Sequence, residues 1–149
     1  MDAVILIGIQ AVGKSTFYKE RFFTTHVRIN LDMLKTRHRE SLLLRACLDG
    51  KQSFVVDNTN VTIAERAKYV TAAKDAGFRV IGYFFRSNLK DALERNGNRL
   101  GTQSIPDMGV LSKYKRLQVP TLSEGFDRIY LVAIGEQGEF MVEEWVDEV

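Results

Sequence analysis

Short blocks of apolar residues alternate with longer amphipathic stretches along this chain. Val4 to Gly8 is a continuous apolar run, as a strand buried on both faces would show, and Lys14 to Phe23 has helical spacing. Val27 to Asn30 predicts a second short strand, followed by a helix from about Met33 to Leu48 that Asp49-Gly50 stops. Phe54 to Asp57 is again short and apolar. Thr62 and Glu65 have capping-box spacing and open a helix ending at Gly77, a residue suited to the left-handed turn after a helix. Arg79 to Phe85 predicts a fourth strand. Asn88 with Asp91 starts a helix running to about Arg99, and another helix follows Pro106. The chain closes with a strand at Arg128 to Ile134 and a terminal strand near Phe140 to Trp145.

Strands that alternate with helices require crossover connections, and crossovers make parallel sheets covered on both faces. The expectation is an α/β fold with a mostly parallel, five-stranded sheet, helices on both faces and a helical lid at about 89–117. No repeat or linker divides it, so residues 1–149 read as one domain.

Composition narrows this little but excludes several classes. With 45 % apolar residues the chain is not disordered, and 11 Gly with 2 Pro do not make a collagen-like repeat. Cys47 is the only cysteine, which excludes an internal disulfide and fits a reducing compartment. No apolar run approaches the roughly 20 residues of a membrane-spanning helix. Asp2 precedes Ala3 to Ile7 without a basic segment, unlike a secretory signal. The expected location is therefore cytoplasmic, with no membrane partner. Charge is uneven: residues 1–116 hold 20 Lys and Arg against 11 acids, and residues 117–149 hold one Arg against eight. A basic majority of this kind suits an anionic partner.

The chemistry begins at Gly8-Ile9-Gln10-Ala11-Val12-Gly13-Lys14-Ser15, a complete G-x-x-x-x-G-K-[ST] phosphate-binding loop between a strand and a helix. Its glycines let backbone N–H groups converge on phosphate oxygens, and the helix N-terminus behind them adds a favourable dipole. The expected nucleotide contacts are Gly8, Gln10, Ala11, Val12, Gly13, Lys14, Ser15 and Thr16. Lys14 reaches the β- and γ-phosphates, and the Ser15 hydroxyl sits on Mg²⁺. No guanine-recognition motif of the Asn-Lys-x-Asp type occurs, and the chain is too small for a motor ATPase. A kinase acting on a separate acceptor fits best.

Such a kinase needs a carboxylate beside the γ-phosphate to orient the acceptor hydroxyl and take its proton. Asp32 follows the second strand and projects towards the strand ends where ligands bind; it would serve equally as a helix N-cap. Asp57 ends the third strand as a metal-holding acid would, although Asp57-Asn58-Thr59-Asn60 also has the composition of a plain turn. Arg95 and Arg99 share one helix face, suited either to closing over a nucleotide or to solvent. Lys35, Arg37, Arg39 and Arg45 make the second helix basic.

With these residues in view, Val4 to Val132 resembles the kinase domain of the polynucleotide 5′-hydroxyl kinase family. Three blocks carry the resemblance beyond the phosphate loop: Ile29-Asn30-Leu31-Asp32, then Val56-Asp57-Asn58-Thr59-Asn60 with Arg66-Ala67-Lys68-Tyr69-Val70, and Leu93-Glu94-Arg95-Asn96 through Arg99. The resemblance implies transfer of the γ-phosphoryl of ATP, with Mg²⁺, to a 5′-OH of RNA or DNA. It implies Asp32 as general base, Lys14 and Arg99 as catalytic cations, and Arg95 and Arg99 on the ATP phosphates. It implies acceptor contacts at Asp32, Lys35, Arg37, Asp57, Asn58 and Asn60, and Ser15 and Asp57 at the metal. Lys35 stands where phage relatives carry an Arg for the acceptor's 3′-phosphate; lacking the bidentate fork, it weakens that contact or passes it to Arg37. No Asp-x-Asp-x-Thr or Lys-x-Asp-Gly string occurs, so an end-healing pathway would use separate phosphatase and ligase proteins. The alternatives are a kinase for a small metabolite, a nucleoside or sugar, and an ATP-binding regulatory module without catalysis.

Overall fold

The run Ala3 to Ile7 carries no polar side chain, and a strand covered on both faces is the conformation that buries it entirely. A computed structural model, describing residues 1–9, 13–86 and 115–145, places that strand, β1 (Asp2–Ile7), at the middle of the sheet. It pairs in parallel with β3 (Phe54–Val56) on one side and with β4 (Arg79–Phe85) on the other. Outside β3 lies β2 (Val27–Ile29), and outside β4 lies β5 (Arg128–Ile134), both parallel. The terminal strand, β6 (Phe140–Glu144), joins β5 in antiparallel pairing, giving the order β2-β3-β1-β4-β5-β6.

The sheet thus has six strands rather than five, and it is mixed. The cause is the short connection between the last two strands, which is too short for a crossover and so must reverse direction. Gly135 donates its N–H to the Glu139 carbonyl at 2.8 Å, and Gly138 has φ +82° in the turn between them.

Alternate residues of β1 serve opposite faces. Ala3, Ile5 and Ile7 pack with Cys47 of α3 (Arg37–Asp49) and with Tyr69, Val70 and Ala73 of α4 (Ile63–Asp75). Val4 and Leu6 pack with Phe17 and Tyr18 of α1 (Lys14–Arg21) and with Phe85 and Val132. Helices therefore cover both faces, as the apolar pattern requires. Each fully buried Val, Leu, Ile or Phe contributes about 1.5–3 kcal/mol, so this double-sided core holds the strand ends in register.

The single helix expected from Met33 to Leu48 is two. A four-residue helix, α2 (Leu31–Leu34), ends at Lys35, whose φ of +75° breaks the spiral, and α3 begins two residues later. Two capping residues lie close together here, and each starts its own helix. The Asn30 side chain accepts from Met33 N at 2.8 Å, and Thr36 Oγ1 accepts from Arg39 N at 3.1 Å. At α4 the Thr62 cap forms as expected, but Glu65 reaches back to Val61 N, one residue before the cap. Gly77 follows with φ +81°. The helices expected over 88–99 and after Pro106, and most of the 89–117 lid, lie outside the described residues. Among the described residues no helix is long and apolar enough to cross a membrane.

Candidate active site

Parallel strands bring their carboxyl ends to one side of a sheet, and loops there can share a ligand. In this chain the ends of β1, β2 and β3 are stitched together by the polar residues that follow them. Gly8 N donates to Thr59 O at 2.9 Å, and Asp57 N donates to Ile29 O at 2.8 Å. Asn30 Nδ2 donates to Asp57 O at 2.6 Å. Asn58 Oδ1 accepts from Leu31 N at 2.9 Å, and buried Asn60 donates to Leu6 O at 2.8 Å. The 57–60 segment is thus more than a turn satisfying itself, because both asparagines bond to other elements.

Gly13 caps α1 with φ +91°, a conformation that calls for glycine, and a Cβ there would also press on Phe140 Cε1 at 3.2 Å. Lys14 is 8 % exposed and donates to the carbonyls of Gly8 at 2.9 Å and Ile9 at 2.8 Å, folded over its own loop. Ser15 Oγ donates to Asp57 Oδ2 at 3.0 Å. Thr16 is exposed on the first turn of α1. Gln10, Ala11, Val12, Arg95 and Arg99 lie outside the described residues.

Asp32 sits in the first turn of α2, exposed, and Asn30 rather than Asp32 is the N-cap. A cleft of about 460 Å³ runs past Asp32 and is lined also by Lys14, Ser15, Arg37, Asp57 and Lys68. The expected phosphate-end residues and the expected base therefore share one opening. Asn58 and Asn60 line it too, whereas Lys35, exposed at the helix break, does not.

Periodicity gives no sign of a polar hub centred on Glu40. Glu40 is 1 % exposed and gathers four donors. Lys68 Nζ reaches its Oε1 at 3.0 Å, Tyr69 OH at 2.8 Å and Arg37 at 3.0 Å, and Asn58 Nδ2 reaches Oε2 at 3.1 Å. Burial alone would push this carboxyl up, but the hydrogen bonds from Lys68, Tyr69 and Asn58 outweigh it and leave the carboxyl below its ordinary 4.5. Burial, then the Glu40 hydrogen bond, push the Tyr69 hydroxyl up, so it stays a donor. A depressed folded-state value means that stability from Glu40 is full above pH 4.5 and disappears as pH falls through the folded value. We expect Glu40→Gln to unfold more readily than wild type at neutral pH, with the gap narrowing below pH 4.5; paired urea titrations across that range check it. A gap that is constant with pH would remove the charge from this account.

Arg28, on β2, also belongs to this site. Its Nε donates to Asp57 Oδ2 at 2.9 Å and its NH2 to Ser15 Oγ at 3.0 Å. The available signal was an arginine between Val27 and Ile29 in an otherwise apolar parallel strand, and for Glu40 an acid three residues after Arg37 on the apolar side of α3.

Known proteins resemble this chain in sequence and in fold. The chain is 29 % identical over 132 residues to the bifunctional polynucleotide phosphatase/kinase of Schizosaccharomyces pombe, covering 86 % of this chain and 32 % of that protein. It is 26 % identical over 143 residues to the L-seryl-tRNA(Sec) kinase of Methanococcus maripaludis, covering 83 % of this chain and 55 % of that protein. The chain thus spans about a third and about half of these two relatives. Among solved structures, a gluconokinase from Sinorhizobium meliloti 1021 superposes with a TM-score of 0.65 at 17 % identity, over 91 % of this chain and 83 % of that one. The fold is that of the P-loop kinases, and with residues 4–120 matching the AAA domain family, the chain belongs to that family.

Proposed function

We propose that this chain moves the γ-phosphoryl group of ATP onto a 5′-hydroxyl of RNA or DNA. The observation that carries the reading is that Asp32 lines the same cleft as Lys14 and Ser15, with Arg37 and Lys68 beside it. The relatives that act on polynucleotide or on tRNA support an acceptor larger than a metabolite.

In this reading Lys14 leaves the loop carbonyls for the β- and γ-phosphates, and the α1 N-terminus adds its dipole. The acceptor hydroxyl lies against Asp32, which takes its proton as the oxygen bonds to γ-phosphorus and the bridge to the β-phosphate breaks, releasing ADP. Arg37 and Lys68 hold a phosphate of the acceptor strand; Glu40 fixes where those cations stand. Lys35 has no part in that contact, and Arg95 and Arg99 supply the remaining cations over the nucleotide. Ser15 and Asp57 offer hard oxygen donors 3.0 Å apart, and a guanidinium already bridges them as a cation would. They fit Mg²⁺, which takes one or two carboxylates and leaves its other positions to phosphates and water. When bound, it neutralises charge on the phosphates.

The test is γ-labelled ATP with Mg²⁺, offered with 5′-OH RNA and DNA oligonucleotides beside nucleosides and sugars. Label at the 5′ end is expected, with kcat/KM falling as salt rises, because strand phosphates release counterions on binding. Preferred transfer to a nucleoside or sugar would make it a metabolite kinase. ATP binding without transfer to any acceptor would leave an ATP-binding module.

A further inference from the structure

Arg28 has no part in the transfer as proposed, yet it holds the position a metal would use. Its Nε and NH2 converge on the same oxygen, Asp57 Oδ2, at 2.9 and 2.8 Å, and NH2 also donates to Ser15 Oγ at 3.0 Å. Asp57 is buried, while the Arg28 side chain is 27 % exposed, with its guanidinium carbon 6.0 Å from the centroid of the Tyr18 ring. A bare divalent ion approaching Asp57 Oδ2 meets the Arg28 guanidinium already seated on that oxygen, and the balance of charge there favours Arg28. ATP reverses that balance, because its phosphates bring several negative charges to the same place.

We propose that Arg28 is a resident counter-cation that keeps free divalent metal off Ser15 and Asp57 and admits it only in company with the nucleotide. The side chain then moves aside along the face of Tyr18, a shelf that suits a guanidinium. Metal and nucleotide consequently enter as one unit. This rests on the reading that Ser15 and Asp57 hold the metal.

The probe is Mn²⁺, followed by electron paramagnetic resonance in the full chain without nucleotide. Wild type is expected to bind it weakly, and Arg28→Gln at least about tenfold more tightly, as removal of one unit charge about 4 Å away would give. Adding Asp57→Asn to Arg28→Gln should abolish the gain. Equal Mn²⁺ affinity in wild type and Arg28→Gln overturns the proposal. Repeating the titration with a non-hydrolysable ATP analogue separates the two ideas. If Asp57→Asn weakens Mn²⁺–nucleotide binding but Arg28→Gln gives no gain, the role of Arg28 alone fails. If Asp57→Asn leaves that binding unchanged, the metal-site reading fails and takes the proposal with it. Should Arg28→Gln not fold, Arg28→Met keeps the stem beside Tyr18 without the charge and is read in the same way.

Discussion

Asp32→Asn is expected to lower kcat for phosphoryl transfer by about 10²–10⁴-fold, the range associated with a lost general base, while ATP binds as before. The substitution is nearly isosteric, and the structure gives it little else to disturb. Asp32 is exposed on a one-turn helix capped by Asn30, so neither the core nor the cap depends on its charge. Loss of turnover with an unchanged melting temperature would therefore report on chemistry. The contrast is Asp57→Asn, which removes the buried negative charge that faces Arg28 and turns one carboxylate oxygen into an amide donor, and should lower stability and activity together. Steady-state kinetics on the 5′-OH oligonucleotide, paired with ATP titration and thermal melts, separate the two. A kcat within a few-fold of wild type in Asp32→Asn would mean that the hydroxyl loses its proton elsewhere.

Arg66→Met should destabilise the fold by about 3–5 kcal/mol, as expected when one member of a buried ion pair is removed. Arg66 is fully buried, donating through Nε and NH2 to the two oxygens of Glu124 at 2.8 and 3.1 Å. Its NH1 donates to Asn60 O at 2.9 Å. Methionine fills much of the volume but, among the described residues, leaves the Glu124 carboxylate with the Thr121 N–H as its donor. A drop of about 10 °C or more in Tm is expected for a chain of this size. Adding Glu124→Gln should recover part of the loss, because the stranded charge goes; failure to recover any would place the cost in packing. Below the new Tm the 57–60 segment has lost one of its anchors, so activity should fall more than the folded fraction does.

Much of the framework was legible because it is carried by local pattern. The β4 and β5 bounds follow the apolar runs residue for residue, and the phosphate loop lies between strand and helix as its spacing demands. Asp32, in the helix that follows β2, and Asp57, directly after β3, come from the carboxyl ends of adjacent strands, which topology brings into one cleft. What escaped was of two kinds. The first is competition between local signals: Asn30 and Thr36 both start helices, and the chain resolves this at Lys35 with an unusual backbone angle. The second is pairing across long separations. Glu40 and Lys68 stand 28 positions apart, and Arg28 and Asp57 stand 29 apart; no periodicity connects them. Charged residues on an apolar strand or a helix's inner face are the trace such pairs leave, and they were there to be read. The sixth strand was visible as a segment, but its place in the sheet depended on a tight hairpin.

The two edges of that sheet bear on how the molecule behaves in a crowd of its own copies. An unpaired strand edge is a template for another chain, and long flat edges invite stacking. Here one edge is β2, three residues long, its central arginine drawn inward to Asp57. The other, among the described residues, is β6, which turns back on β5 and carries Glu144, paired with Arg128 at 2.7 Å, beside the exposed Glu143. A second copy offered to that edge would bring like charges side by side. On the rule that charge at a strand edge discourages further pairing, Glu143 is expected to oppose extension of this mostly parallel sheet at its β6 edge.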